Sequence, residues 1–177
     1  MISTFQPAID LSKVLIRRLV AADLPALEWE GQYTHFRRMY QDALRRQERS
    51  LAVLWVAEED QRRLVAQVFI QLICDRKELA NGVDRAYLYG FRTRPEYRSH
   101  GLGTRMEHAV EEDLLMRGFT SLTLNVAKEN LRAMQLYERL GFQIVAHEPG
   151  IWSYIDHRGV IRRMNEPAWR MEKLLRH

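Results

Sequence analysis

Apolar positions recur along this chain with two different periods, and the switches between them mark out its elements. VLIRRLV (14–20) reads as a first strand, and AADLPALEWE follows with Asp23 as a candidate N-cap and Pro25 as an early helical residue. Phe36, Met39, Tyr40 and Leu44 share one face over 35–48, the spacing of a second helix. LAVLWVAEE and RRLVAQVFIQLI, two β-rich runs parted by a short charged turn, have the pattern of a hairpin. RAYLYGFRT (85–93) is another strand, in which Gly90 marks a bulge or a close approach to the backbone. From about 102 to 117, Leu102, Met106, Ala109, Val110, Leu114 and Leu115 face one way with helical period, and Gly118 supplies the stop. SLTLNVA then alternates strictly, with Leu122, Leu124 and Val126 on one face and Ser121, Thr123 and Asn125 on the other. A short helix runs from Asn130, a natural N-cap, to Gly141, and FQIVA and AWRMEKLL are the last strands. The expected order is therefore strand, two helices, three strands, helix, strand, helix, two strands. No repeat or Pro/Gly/Ser linker interrupts it, which predicts a lead-in over 1–13 and one domain over 14–177.

Composition narrows the class of protein. With 46% hydrophobic and 28% charged residues among 177, a sizeable core is available. No run approaches the roughly 18 apolar residues of a membrane span, and the start lacks a basic stretch leading into an apolar one, so a cytoplasmic protein without membrane partners is expected. Cys74 is the single cysteine; FIQLICD places it at a buried strand end as an inert core thiol. The net charge of +4 suits an anionic small ligand, while the arginines are spread along the chain with no basic run interleaved with aromatics, which argues against nucleic acid. The six histidines form no ligand cluster, HAVEE falls one residue short of a zinc pattern, and no G-x-S-x-G elbow is present. No metal is expected.

The chemistry concentrates in RSHGLGTRMEHAV (98–110). Two glycines at a strand-to-helix junction let backbone approach a ligand closely, and the helix start offers unpaired N–H groups and a positive dipole end, the makings of an anion site. A P-loop would need Gly-Lys-Ser/Thr where Gly103, Thr104 and Arg105 stand, and a dinucleotide fingerprint would need glycine in place of Met106.

Arg98, Gly101 and Gly103 make R-x-x-G-x-G, and NLRAMQLYERLGF supplies N-x-x-A-x-x-x-Y-x-x-x-G-F through Asn130, Ala133, Tyr137, Gly141 and Phe142. In this order, with an alternating strand between them, the two motifs closely resemble the GNAT superfamily of N-acetyltransferases. The resemblance implies an α/β (α+β) fold: a mixed, mostly antiparallel sheet of about seven strands flanked by about four helices, with a splayed strand pair at the cofactor site. It further implies acetyl-CoA as cosubstrate, its pyrophosphate held by backbone amides across Arg98, Ser99, His100, Gly101, Leu102, Gly103 and Thr104. Its pantetheine arm would pair with Phe91, Arg92 and Thr93, near Asn125, Asn130 and Ala133, and Tyr137 would protonate the leaving thiolate.

Attack by an ordinary alkyl amine, neutral in about one part in a thousand near pH 7.4, calls for a base. Glu28, Glu30, Tyr87, Tyr89, Asp156 and His157 are the candidates, and Glu30 is the one selected; the strand carries no carboxylate where some family members place a glutamate. By resemblance the acceptor enters between EWEGQYTHF and PGIWSYIDHRGVIRRMNEP, whose Trp29, Tyr33, Phe36, Trp152 and Tyr154 suit a cationic amphipathic amine. The expected acceptor is a small-molecule amine, the alternatives being a protein N-terminus or lysine, or CoA binding without turnover; the expected state is monomer or homodimer.

Overall fold

The structure, a computed structural model, describes residues 8–60 and 62–176; residues 1–7 of the expected lead-in lie outside that range. Seven strands form one sheet in the order β1-β2-β3-β4-β5-β9-β6, with β1 at Leu15–Arg18, β2 at Ala52–Glu58, β3 at Leu64–Gln71, β4 at Arg85–Thr93, β5 at Ser121–Ala127, β6 at Gln143–Glu148 and β9 at Ala168–Leu174. Every neighbouring pair is antiparallel except β4 with β5. β3 is buried along nearly its whole length because both faces of the sheet are covered, so its sequence is an apolar run interrupted before its end only by Gln67.

Two cores result. On one face the helix α2 (Leu102–Met116) lays Leu102, Met106, Val110 and Leu114 against Val53, Val65 and Leu122, with Tyr137 of α3 (Leu131–Arg139) in the same cluster. On the other face Leu27, together with Tyr40, Ala43 and Leu44 of α1 (Arg37–Glu48), covers Leu54, Val56 and Phe69. Ala109 and Leu115, expected inside, are only half-buried, whereas Glu107 is fully buried.

Local structure departs from expectation in three further places. Residues Ala21–Glu28 form a 3-10 helix, and its N-cap is Val20; Asp23 sits inside, accepting from the Val20 N–H at 2.8 Å and from Arg17 Nη1 at 2.7 Å. A backbone N–H and the Arg17 guanidinium close on the carboxylate there, which outweighs a free capping role. Cys74 lies beyond β3, half-buried, its thiol 3.1 Å from the Arg76 carbonyl. The long connection after β6 contains a separate hairpin of β7 (Ile151–Ile155) and β8 (Ile161–Asn165). Its inner side chains Trp152 and Tyr154 carry it onto α1: Tyr154 lies 5.0 Å from Phe36, ring centre to ring centre.

Candidate active site

β4 and β5 run side by side only from Arg85↔Ser121 to Leu88↔Leu124, then part, although both strands continue. Just past that point β4 bulges against β3: the register steps from Phe69↔Tyr89 to Gln67↔Arg92. Gly90 takes φ 61° there, and a Cβ would stand 3.2 Å from the Phe69 ring, so glycine answers both the turn and the crowding. Its carbonyl accepts from Gln67 Nε2 at 3.0 Å. Two clefts open on either side of the parting strands.

The first, about 650 Å³, follows the glycine loop. Gly101 is the N-cap of α2 at φ 85°, with nothing within 4 Å of where its Cβ would be: left-handed backbone, and not crowding, demands glycine. The first backbone bond closing the helix runs from the Arg105 N–H to the Gly101 carbonyl at 3.1 Å, so the N–H groups of Leu102, Gly103 and Thr104 have no partner within the helix. Facing them, α3 begins at Asn130, whose side chain caps it by accepting from the Ala133 N–H at 3.1 Å. The lining brings together Phe91, Arg92, Thr93, Arg98, Ser99, Gly101, Gly103, Thr104, Asn130, Ala133 and Tyr137. Three of the expected cofactor residues are not in this wall: His100 is exposed with Nδ1 2.7 Å from the Arg98 carbonyl, the Leu102 side chain is in the core, and Asn125 lies on the other side of the splay. Arg132, Arg139 and Lys173 also line the cleft, which includes no acid. Arg98, Arg132 and Arg139 around free helix N–H groups fit a polyphosphate, Lys173 being paired behind the wall.

Tyr137 is buried in this wall between Phe91 and Phe142, at 6.4 and 5.7 Å between ring centres. Burial, with the Tyr87 phenol nearby, pushes its pKa well above the usual phenol value and keeps it protonated. Behind the cleft Lys173 donates to Glu107 Oε1 at 2.9 Å and pairs with Glu111. Burial and then the Glu111 carboxylate push Glu107 up to about 7.

The second cleft, about 820 Å³, lies between α1, the bulged strand and the β7–β8 hairpin. Aromatic rings from Tyr33, Phe36, Tyr40, Tyr87, Tyr89 and Trp152 form much of its wall. Its charged lining balances: Arg76 and Arg92 against Glu148 and Glu166. Glu148, 6% exposed, accepts on Oε1 from Arg76 Nη2 at 2.8 Å and from Arg170 Nη1 at 3.1 Å. Asn125 Oδ1 is buried without a hydrogen-bond partner at this cleft. Burial and then Tyr89 push Tyr87 up to about 12.

The carboxylates singled out as bases from the sequence stand elsewhere. Glu30, at φ 57°, forms a two-point ion pair with Arg94 at 3.0 and 3.0 Å, which lowers its pKa, and it lines neither cleft. The left-handed turn that begins at Trp29 sets it there, with Trp29 under the Arg94 guanidinium at 4.7 Å. Glu28 pairs with Arg37. Asp156 is buried in the hairpin turn, held well below the usual carboxylate range first by the Val160 N–H and then by Arg162. Arg76, Glu148 and the hairpin were not foreseen. HEPGIWSYID does contain an alternating run, but three residues of alternation read as loop.

A mixed sheet with one parallel pair, splayed over a glycine loop at a helix start, defines the acetyl-CoA-binding fold of the N-acetyltransferases. Residues 16–142 match the model of the acetyltransferase (GNAT) family, and the chain belongs to that family. It is similar to thialysine N-ε-acetyltransferase of Bos taurus, 39% identical over 77 residues, and to the alanine N-acetyltransferase of ribosomal protein bS18 of Escherichia coli K12, 41% over 61 residues. These stretches cover 44% and 34% of this chain and less than half of the relatives, 45% and 40%. The structure resembles that of the ribosomal-protein-S18-alanine N-acetyltransferase from Escherichia coli (TM-score 0.68, 21% identity, covering 93% of this chain and 95% of that one). It also resembles spermidine N-acetyltransferase from Vibrio cholerae in complex with CoA and spermine (TM-score 0.65, 20% identity, 93% and 96%). Among the described residues no group of His, Cys, Asp or Glu is placed to hold a metal ion, and no helix is long and apolar enough to cross a membrane.

Proposed function

We propose that the protein is an acetyl-CoA-dependent N-acetyltransferase whose acceptor is the α-amine of a polypeptide. The observation that carries the choice of acceptor is the charge balance of the second cleft. Its buried carboxylate is already held by two guanidiniums, and β4 and β5 put no acid beside the splay. A polyamine site calls for surplus negative charge, which this wall lacks. An α-amine, with a pKa near 8, is neutral in about a quarter of molecules at pH 7.4, against about one in a thousand for an alkyl amine, so it needs far less help from a base. The likeness to the bS18-alanine enzyme points the same way. The aromatic wall supports the second reading, a small cationic amine.

Bound acetyl-CoA supplies the acetyl thioester; transfer makes a C–N bond, breaks the C–S bond, frees one proton from the amine and returns one to the thiolate. The free N–H groups of Leu102, Gly103 and Thr104, with Arg98 and Arg132, hold phosphate oxygens. Backbone at Phe91 and Thr93, freed from β5 by the splay, pairs with the amide-bearing arm. Tyr137 donates a hydrogen bond to the sulfur; its raised pKa suits donation to a developing thiolate better than outright loss of the proton.

The test is thiol release from acetyl-CoA with hexapeptides bearing free α-amines, an α-blocked lysine peptide, free lysine and spermidine. The highest kcat/KM should fall among the free-α-amine peptides. A preference for spermidine or blocked lysine refutes the acceptor class, and tight CoA binding with no acceptor turned over refutes the enzyme.

A further inference from the structure

The two clefts meet at one residue: among the described residues Arg92 alone lines both. Its guanidinium is fixed from several sides. The Tyr33 ring stacks on it at 3.3 Å and Trp29 at 5.0 Å. Nη2 donates to the Tyr40 hydroxyl at 2.6 Å, to Gln67 Oε1 at 2.9 Å and to the Leu27 carbonyl at 3.4 Å. The same Gln67 side chain donates to the carbonyl of Gly90, so the guanidinium is tied to the bulge. Nη1 has no partner among the described residues, and it is not among the polar atoms sealed from solvent. A rigid cation therefore presents unpaired N–H groups at the boundary of the two clefts. Such a group repels an ammonium and attracts a carbonyl oxygen.

We propose that Arg92 determines acceptor specificity by donating from Nη1 to the carbonyl oxygen next to the acceptor's α-amine, so that the site takes amines of the N–Cα–C=O class. The inference rests on the α-amine reading above and deepens it. In a peptide N-terminus the nitrogen and that oxygen are joined through the α-carbon and the carbonyl carbon, so seating the oxygen on a fixed donor also fixes the nucleophile. A polyamine has no such oxygen and brings a second ammonium to a cation. The same guanidinium disfavours the ammonium form of the acceptor, a service that matters where the buried Glu148 is already paired.

The experiment pairs two acceptors with two variants. The acceptors are the best hexapeptide of the panel and its analogue in which an (E)-alkene replaces the first peptide bond, removing the carbonyl while keeping the chain's shape. The variants are Arg92→Gln and Arg92→Lys, each checked for melting temperature and CoA affinity. Wild type should prefer the peptide by about tenfold to a hundredfold in kcat/KM, the span expected of one hydrogen bond from a charged donor. Arg92→Gln should lose that preference, its kcat/KM falling by about tenfold to a hundredfold more on the peptide than on the alkene. Arg92→Lys, with the charge but not the fork, should fall between. An equal proportional loss on both acceptors overturns this proposal alone and makes Arg92 a support for the loop. Failure of wild type on every free-α-amine peptide overturns the α-amine reading itself, and this inference with it.

Discussion

Glu107→Gln should remove a loss of stability with rising pH, because Glu107 is the one fully buried carboxylate of a three-charge cluster. Lys173 reaches Oε1 at 2.9 Å, Oε2 has no partner, and Glu111 one turn along α2 also pairs with the lysine. Two negative charges and one positive one leave a net negative charge between helix and sheet, and one proton removes it. Raising the carboxyl from 4.5 to about 7 amounts to at most about 3 kcal/mol. The unfolded chain gives up its proton near 4.5 and the folded one near 7, so between those values the folded state holds more protons. Stability from this group is thus greatest below 4.5, declines as pH rises through the window and levels off above about 7. Lys173 is raised by Glu111 and Glu107 against its own burial, so its effect lies above 10.5 and outside the window. Glutamine keeps the shape and cannot ionise. Between pH 5 and 8 the difference in unfolding free energy should move in the mutant's favour by up to about 3 kcal/mol, or about 5–10 °C in Tm for a domain of this size. Urea or thermal melts of both proteins at pH 5, 6, 7 and 8 measure it. Parallel curves across that range would refute the assignment of the proton to Glu107.

Tyr137→Phe keeps the ring against Phe91 and Phe142 and deletes only the hydroxyl; kcat should fall by about tenfold to a few hundredfold with Tm and CoA affinity near wild type, by stopped assay and melting. Gly101→Val forces a branched residue to φ 85°; CoA affinity by calorimetry should weaken by tenfold or more, whereas Gly103→Ala, whose Cβ would sit an ordinary 3.5 Å from Phe91, should bind within about threefold of wild type. With Arg98, Arg132 and Arg139 and no acid in its wall, the CoA cleft should lose affinity steeply with salt, and a dissociation constant unchanged between about 50 and 500 mM salt would contradict the phosphate role. Tyr154→Ala, which removes the ring joining hairpin to Phe36, should raise the acceptor KM about tenfold and leave the KM for acetyl-CoA alone.

Much of the sheet was legible because its strands are either strictly alternating, as in Ser121–Ala127, or mostly apolar, as in Leu64–Gln71, and because Gly118 and Gly141 stop the intervening helices. The glycine loop was legible for a chemical reason: the spacing of Arg98, Gly101 and Gly103 serves one local geometry. The acceptor side was not, since its chemistry is made by pairing across distance. Glu30 reads as a free acid until Arg94, 64 residues away, takes it, and Glu148 reads as a loop residue until Arg76 and Arg170 converge on it. The apolar period of α2 concealed Glu107 because Lys173, which makes its burial tolerable, comes from β9, 66 residues further along the chain. Arg132 and Arg139 share one face of α3 at a spacing of seven, a signal that could have added them to the phosphate wall.

The placing of β9 between β5 and β6 carries a consequence for how the molecule is made. β6 has no neighbour in the sheet except β9, and β5 gains its second neighbour only when β9 arrives. On a ribosome adding about 5–20 residues each second, Gln143–Glu148 therefore waits a few seconds, unpaired, for Ala168–Leu174 to be synthesised and clear the tunnel. Through that interval Glu148 and Arg170 cannot meet, and Lys173 is not yet there to receive Glu107. Before β9 is made the nascent chain therefore holds five of the seven strands in their final order, and the sheet closes only when β9 inserts between β5 and β6.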